Sequence, residues 1–362
     1  MKIKYPEYNR SIANLACSVL KYYGIEPPNA TLPEADSLLN KPYKNVVVIL
    51  LDGMGASAIE KHLSPNGFFR QNLITKYFST FPSTTVAATT AIDSGLFPNQ
   101  SAWLGWTGYF EELDRNIVYF FGTDDDTGEQ LDINPAWTYV PYESIRDRIS
   151  KTGVNTHYLA KFWGERPQTY SELCGNIRKH CLEPKRTYIY AYWDEPDCTM
   201  HKNGVDGEDI CKLITDMEKT TEQLAAELDD TLLIVTADHG HINVKNKLLT
   251  DYDDLTECLV RMPSMEPRAV NFFVKEGMKD RFRSAFTEHF GDEFILLTKE
   301  ELLQKQLLGT GQNHPKLERM LGDFLAIAVG DTQIVNSESR FKGSHAGLTE
   351  DEMTIPLIAI SK

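Results

Sequence analysis

The segment Thr231-Leu232-Leu233-Ile234-Val235-Thr236-Ala237 is mostly apolar and runs straight into Asp238-His239-Gly240-His241. A carboxylate beside an imidazole is a common pair of zinc ligands. Burying both at the end of an apolar strand is costly unless a partner compensates them. Asp52 stands in the same kind of place, directly after the apolar run 46–51 and before Gly53-Met54-Gly55. Asp197 and His201, just behind Pro196, are four residues apart, a spacing at which one turn aims both side chains at one point. His345 lies in Gly343-Ser344-His345-Ala346-Gly347, shortly before a last apolar segment, and is a third ligand candidate of this kind. Ser83 and Thr84 follow Pro82 at a helix-start signal, where free N–H groups and the helix dipole favour a phosphate. Taken singly, each stretch also reads as a polar turn or a helix cap. Their recurrence at successive strand ends is what points to chemistry.

Residues so scattered need a sheet to gather them. Segments 46–51, 188–193, 231–236 and 356–360 read as buried strands. Helices are expected over 11–23, from about residue 56, behind Ser83, and over 207–228. From 262 to 336 the pattern changes. Short strands (270–275, 294–298, 324–329) alternate with charged helices (278–289, 299–308, 314–321), which predicts an inserted α+β lobe. The expected organisation is a core of residues 1–261 and 337–362 carrying a cap lobe at 262–336. Trp103 and Trp106, with Tyr109 and Phe110, lie in a Gly-containing, loop-like stretch and are candidate walls of a substrate pocket. Gly53-x-Gly55-x-x-Ala58 approximates a dinucleotide fingerprint, but the ribose-binding acid expected about 20 residues on is missing. The acidic loop 123–132 lacks EF-hand spacing and reads as a solvated turn. Lys161, Arg166 and Arg268 read as surface charges.

With 362 residues the chain has room for a large core. Lys and Arg number 37 against 52 Asp and Glu, a formal net charge of −15, which repels nucleic acid and anionic membranes alike. Neither is expected as a partner. No apolar run reaches the length of a membrane span, and residues 1–7 lack the apolar core of a signal peptide, so a cytoplasmic location is expected. The six cysteines form no Cys-x-x-Cys pair and read as reduced thiols.

In order along the chain stand Val-Val-Val-Ile-Leu-Leu-Asp52-Gly, Phe-Pro-Ser-Thr-Thr with Ser-Gly95-Leu-Phe-Pro98 behind it, Glu-Pro-Asp197-x-x-x-His201, Ala-Asp238-His239-Gly and Gly-Ser-His345-Ala-Gly. Together these motifs resemble the alkaline phosphatase superfamily, and within it the type I phosphodiesterase/nucleotide pyrophosphatase family, over residues 46–360. The resemblance implies an α/β fold with a central, mostly parallel sheet flanked by helices. It also implies two divalent metal ions, Zn²⁺ by ligand type, with Mn²⁺ or Fe as alternatives. One would be bound by Asp52, Asp238, His239 and the nucleophile oxygen, the other by Asp197, His201 and His345. The family's threonine nucleophile stands ten positions before the glycine that ends its helix. Counting back from Gly95 gives Thr85 (95 − 10), with Thr84 the alternative. Where the family commonly has a His-Gly pair after the proline, this chain has Asn99-Gln100-Ser101-Ala102, a departure that bears on the substrate pocket and not on the metals.

The implied activity is hydrolysis of a small-molecule phosphate ester, a phosphodiester or nucleotide pyrophosphate, through a covalent phospho-threonine. A phosphomonoesterase or a phosphosugar mutase of the same superfamily would keep nearly the same ligands. A sulfatase would carry Cys-x-Pro-x-Arg, which is absent from the Thr85 region. A metal-stabilised binding protein would have no need of a nucleophile.

Overall fold

The computed structural model describes residues Met1–Lys362. Its β-branched, apolar segments form a six-stranded sheet in the order Leu73–Phe78, Thr354–Ser361, Thr231–Thr236, Asn45–Leu51, Thr187–Trp193, Asn155–Ala160. The last four pair in parallel. Thr354–Ser361 runs against both of its neighbours, so five of the six strands point the same way. Asn45–Leu51 and Thr231–Thr236 are buried along their whole length, which is why they read as unbroken apolar runs. Helices pack in pairs around the sheet, Ile12–Tyr22 against Thr85–Ser94 and Tyr170–Cys181 against Glu208–Ala226. All six cysteines are unpaired, and no helix is long and apolar enough to cross a membrane.

The lobe has wider roots than residues 262–336. Its antiparallel sheet has seven strands, in the order Phe294–Thr298, Phe324–Ala328, Ala269–Phe272, Ser264–Glu266, Thr107–Phe110, Arg115–Val118, Thr123–Asp124. The last three come from before the expected boundary, and Met265 pairs with Thr107 to join the two parts. An open edge at Ser264–Glu266 needs a partner, and the hairpin at 107–118 supplies it. The lobe also shares a hydrophobic cluster with the core, in which Phe81, Ala346, Leu348 and Met353 pack with Met265, Ala269, Leu325 and Ile327. Two of its helices are shorter than the pattern suggests. The one expected at 299–308 ends at Gln304, because Gln306 turns to φ +53°. The one at 314–321 is only Leu317–Met320; His314, ahead of it, donates its backbone N–H to the Asn99 carbonyl at 2.7 Å. In the acidic loop, Asp124 Oδ1 accepts the amides of Asp126 and Thr127 at 3.0 and 2.8 Å, a closed Asx turn.

Arg268 is not a surface charge. It is fully buried where lobe meets core, with Nε and Nη2 donating to the two carboxylate oxygens of Glu352 at 2.7 and 2.8 Å. Two further guanidinium protons go to the carbonyls of Thr332 and Gly330 at 2.8 and 2.9 Å. Glu352 in turn accepts the Gly347 amide at 2.8 Å and the Thr349 hydroxyl at 2.7 Å, so this pair braces the turn that follows His345. Burial opposes ionisation of Glu352, but the guanidinium and the hydrogen bonds outweigh it and hold the carboxyl below its ordinary value. Removing one partner of a buried pair leaves the other charge uncompensated. Arg268→Ala is therefore expected to lower stability by about 3–5 kcal/mol, read from urea unfolding at neutral pH. The Glu352 contribution is present above the ordinary carboxyl range, about pH 4.3, and is lost as pH falls through the lowered folded value. An unchanged unfolding midpoint would show that the pair supplies no stability.

Candidate active site

Shared strand direction brings the candidate residues to one edge. Leu51 is the register partner of Trp193, and Leu50 of Thr236, so Asp52, the 194–197 loop and Asp238-His239 leave the sheet side by side. Leu73–Phe78 ends at the same edge and leads to the helix Thr85–Ser94, whose N-cap is Thr84 and whose end is set by Gly95 at φ +77°. The reversed strand Thr354–Ser361 begins there, behind His345. Gly53 takes φ +71°, and a Cβ on it would lie 3.1 Å from the Asp197 Cα and 2.9 Å from His241 Cδ2. A Cβ on Gly55 would lie 2.5 Å from the Gly240 Cα. The two glycines that mimic a dinucleotide fingerprint thus let neighbouring loops touch.

Thr85 Oγ1 lies 3.2 Å from His239 Nε2 and 3.4 Å from each carboxylate oxygen of Asp52. His239 Nε2 is also 3.3 Å from Asp52 Oδ1 and 3.5 Å from Asp238 Oδ2. Asp238 Oδ1 accepts the amides of Gly53 and His239 at 3.1 and 2.9 Å. Beside this group, Asp197 Oδ1 faces three imidazoles, at 2.5 Å from His241 Nε2, 3.4 Å from His201 Nε2 and 3.6 Å from His345 Nε2. The rings of His239 and His345 stack at 3.8 Å, linking the two groups. All seven sequence-predicted metal-site residues therefore converge. The Nδ1 atoms of His201, His239 and His345 lie 2.9, 3.1 and 3.2 Å from the backbone carbonyls of Gly343, Gly240 and Ser83. Donation to a carbonyl fixes the tautomer and leaves each Nε2 lone pair directed into the cluster.

Such crowding of like charges has a measurable cost. Burial, then the Asp52 charge, pushes Asp197 up to about 7 and Asp238 well above its ordinary value. Burial works against protonation of His239, yet Asp238 and Asp52 outweigh it and lift the imidazole to about 10. Burial likewise disfavours the Asp52 carboxylate, but His239 and the Tyr192 hydroxyl reverse the effect and keep it low. Divalent cations supply the positive charge that lets all three carboxylates ionise together. The residues fit such ions, because Asp238 Oδ2, 3.5 Å from His239 Nε2, is buried with no hydrogen-bond partner. Ligand atoms of Asp52, Asp197 and His239 lie within 4.8 Å of one another, as do those of Asp197, His201, His241 and His345.

A sequence model of the type I phosphodiesterase/nucleotide pyrophosphatase family matches residues 46–347. The chain belongs to this family. It is 23% identical over 235 residues to mouse bis(5'-adenosyl)-triphosphatase enpp4, covering 51% of each protein, so it spans about half the length of that relative. Its fold resembles the murine ectonucleotide pyrophosphatase/phosphodiesterase 5, solved as an inactive threonine-to-alanine form in complex with AMP, at TM-score 0.66, 16% identity and 87% coverage of both chains. The human protein of the same name gives 0.65 at 17% identity, again over 87% of both chains.

In this phosphodiesterase-family chain two cavities open beside the cluster. One, of about 580 Å³, is lined by Thr84, Thr85, Trp106, Glu266, His201 and His345 among others. The second, of about 330 Å³, is lined by Thr85, Trp137, Tyr142, Tyr158, Trp163 and Tyr192, with Asp93 and Arg146 paired at 3.0 Å. Trp106 is thus a wall residue. Trp103 is not: it is fully buried among Tyr119, Trp137 and Tyr142, with its indole N–H donating to the Val140 carbonyl at 2.8 Å. An apolar indole whose N–H finds a backbone acceptor gains more from the core than from a pocket wall.

Three residues escape the sequence reading. His241 closes the Asp238-His239-Gly-His241 run, and its two-residue offset from His239 was the available signal. Tyr192 had none beyond its place near a strand end. Glu266 comes from the lobe and had none at all. It is buried, raised to about 7 by that burial, and accepts the Thr84 hydroxyl at 2.5 Å and the Trp106 amide at 2.7 Å. Thr84 is therefore engaged with Glu266, while the Thr85 hydroxyl faces the cluster. Outer partners of metal ligands typically set affinity by 10–100-fold. His241→Ala, which strips Asp197 of its shortest contact, is expected to weaken divalent-metal binding by about that factor, read by competition with a chromogenic chelator. Unchanged affinity would remove His241 from the site.

Proposed function

We propose that this protein hydrolyses phosphodiesters or nucleotide pyrophosphates, with Thr85 as the nucleophile. The observation that carries this reading is that Thr85 lines both cavities, about 580 and 330 Å³ in volume. A phosphorus atom beside its hydroxyl has room for a substituent on either side, whereas a monoester needs only one. The smaller cavity, walled by Trp137, Tyr158, Trp163 and Tyr190, suits a flat aromatic group such as a nucleobase. The name of the mouse relative and the AMP bound to the mouse structural neighbour agree with a nucleotide-like substrate.

Two divalent ions are proposed for the cluster, one held by Asp52, Asp238, His239 and the Thr85 oxygen, the other by Asp197, His201 and His345 with His241 beside them. Imidazole and carboxylate donors suit Zn²⁺, and Mn²⁺ or Fe accept similar ligands. Bound there, the ions supply Lewis-acid stabilisation of phosphoryl charge and lower the pKa of a coordinated hydroxyl. They also offset the −15 of the chain, which otherwise repels an anionic substrate. The protein's own part is positioning. Asp52 and His239 orient the Thr85 hydroxyl. The N-terminal amides of the helix Thr85–Ser94 have no intrahelical acceptors and face the same side, where phosphoryl oxygens collect. Thr85 Oγ forms its bond to phosphorus as the bond to the leaving alcohol or phosphate breaks, and water then frees the phosphorylated threonine in a second displacement.

The test is hydrolysis of bis-p-nitrophenyl phosphate and p-nitrophenyl phosphate by the metal-loaded wild type and Thr85→Ala. The diester should be the better substrate, and the substitution should cut its turnover by roughly 10³-fold or more while metal content stays near that of the wild type. Faster cleavage of the monoester would favour a phosphomonoesterase. Metal binding with neither ester cleaved would favour a mutase, and full activity in Thr85→Ala would remove Thr85 from its role.

A further inference from the structure

In the larger cavity one buried carboxylate uses only one of its oxygens. Glu266 ends the strand Ser264–Glu266 and is 8% exposed. The Thr84 hydroxyl and the Trp106 amide both donate to its Oε1, at 2.5 and 2.7 Å. Oε2 accepts no hydrogen bond from the protein, and the carboxylate has no ion-pair partner. A buried carboxylate is costly unless paired, and Glu352 shows the usual answer, a guanidinium on both oxygens. Glu266 instead lines the cavity of about 580 Å³ beside Thr85. We propose that Glu266 Oε2 binds the ammonium of an amino-alcohol leaving group, so that the substrate is a phosphodiester of an amino alcohol and not a pyrophosphate. This rests on hydrolysis at Thr85 and narrows it to one class of substrate.

The two cavities divide the substrate between them. The aromatic cavity touches the cluster at Thr85 and Tyr192. The larger one is lined by Thr85 together with Asp197, His201 and His345, the ligands proposed for the second ion. With a nucleoside in the first, the group that departs lies in the second. Its charged lining beyond the cluster is Asp125, Glu266 and Glu338 against one guanidinium, Arg340. Such an excess of carboxylates repels a phosphate chain and draws an ammonium. Asp125, Glu338 and Arg340 are exposed and screened by salt, so the buried Glu266 carries most of the selection. Two half-exposed rings face the same space. Trp106 is steadied by edge-on contacts with Phe120 and Phe121, and Phe341 stacks on His201 with centroids 4.4 Å apart. The faces of such rings attract a cation.

Placement of Glu266 is imposed by the backbone. Met265, just before it, takes φ +77°, a conformation uncommon for a residue with a side chain. Pairing on both sides holds it there, with Thr107 on one strand and Val270 on the other. Backbone held in this way clusters at sites that bind ligands. A Cβ on Gly105 would lie 3.1 Å from Glu266 Cγ and 3.2 Å from the Met265 Cα. The bare glycine lets its loop close on the glutamate and brings the Trp106 amide to Oε1. One oxygen is thus pinned from the protein side, and the other is left to the cavity.

Three derivatives of AMP test this on the metal-loaded, full-length protein: its 2-aminoethyl ester, the isosteric propyl ester, and ADP. In the wild type the aminoethyl ester should show a KM about tenfold below that of the propyl ester, a reading that needs no variant. Glu266→Gln keeps one oxygen for Thr84 and Trp106 and turns an amide N–H towards the cavity, reversing its polarity. The ratio of kcat/KM for the aminoethyl ester to that for the propyl ester should then fall about tenfold or more, while ADP gains on the propyl ester. Equal KM for the two esters in the wild type would overturn the proposal. So would an equal change for all three substrates in Glu266→Gln, which would leave Glu266 a positioning residue for Thr84 and Trp106. Bis-p-nitrophenyl phosphate is run alongside. If it is cleaved, a failure belongs to Glu266 alone; if neither it nor any AMP derivative is cleaved, the hydrolase reading fails and this proposal with it.

Discussion

Everything at the catalytic edge depends on holding Asp52, Asp197 and Asp238 together out of water. Burial disfavours all three carboxylates and they repel one another besides, and the raised values of Asp197 and Asp238 express first that burial and then the repulsion. Around them sit four imidazoles, His201, His239, His241 and His345, three of which are tied through Nδ1 to backbone carbonyls. Their orientation is thus settled by the main chain before any ion arrives. A protein stable without such strain would spread these charges to the surface. Their concentration in one place is what the proposed cations would offset.

The central sheet meets this constraint through direction. Five strands that share a polarity deliver five chain ends to one edge, and the reversed strand delivers its beginning. Loop contacts then finish the work, with Gly53 and Gly55 allowing backbones to approach where any side chain would collide. The lobe is a working part of this arrangement. It sends Glu266 to Thr84 and Trp106, so that the threonine beside Thr85 is fixed and the cavity wall is tied to the cluster. Arg268 and Glu352 hold lobe and core in register through a pair removed from solvent. A buried ion pair of this kind stabilises little by its presence, but it defines one arrangement sharply because any other leaves a bare charge.

The same economy of backbone contacts appears at His157 and His180. Gly164, at φ +69°, lets its loop return onto the strand Asn155–Ala160 and places Glu165 beside His180, whose Nδ1 lies 2.6 Å from Glu183. In both places side chains of ordinary type acquire an unusual environment because the main chain fixes them at short range.

From the amino-acid sequence alone, the core strands, the order of the motifs and the six Asp and His candidate ligands could be read, while Thr85 came from the family resemblance. These are local signals: an apolar run ending in Asp, an Asp and a His four apart, a histidine between small residues. The helix start behind Pro82 and its end at Gly95 were likewise written in turn and cap chemistry. What the sequence did not hold is anything decided by packing between distant segments. Trp103 and Trp106 look alike in one loop, yet one fills the core and the other faces a cavity. Arg268 reads as a surface charge until Glu352, far along the chain, is seen against it. The hairpin at 107–118 joins the lobe because an open sheet edge needed covering, and no local pattern announces which strand will cover it. Local chemistry names the reactive residues; only the tertiary structure decides which side chains stand opposite them, because that choice is made by burial and by contacts across the whole chain.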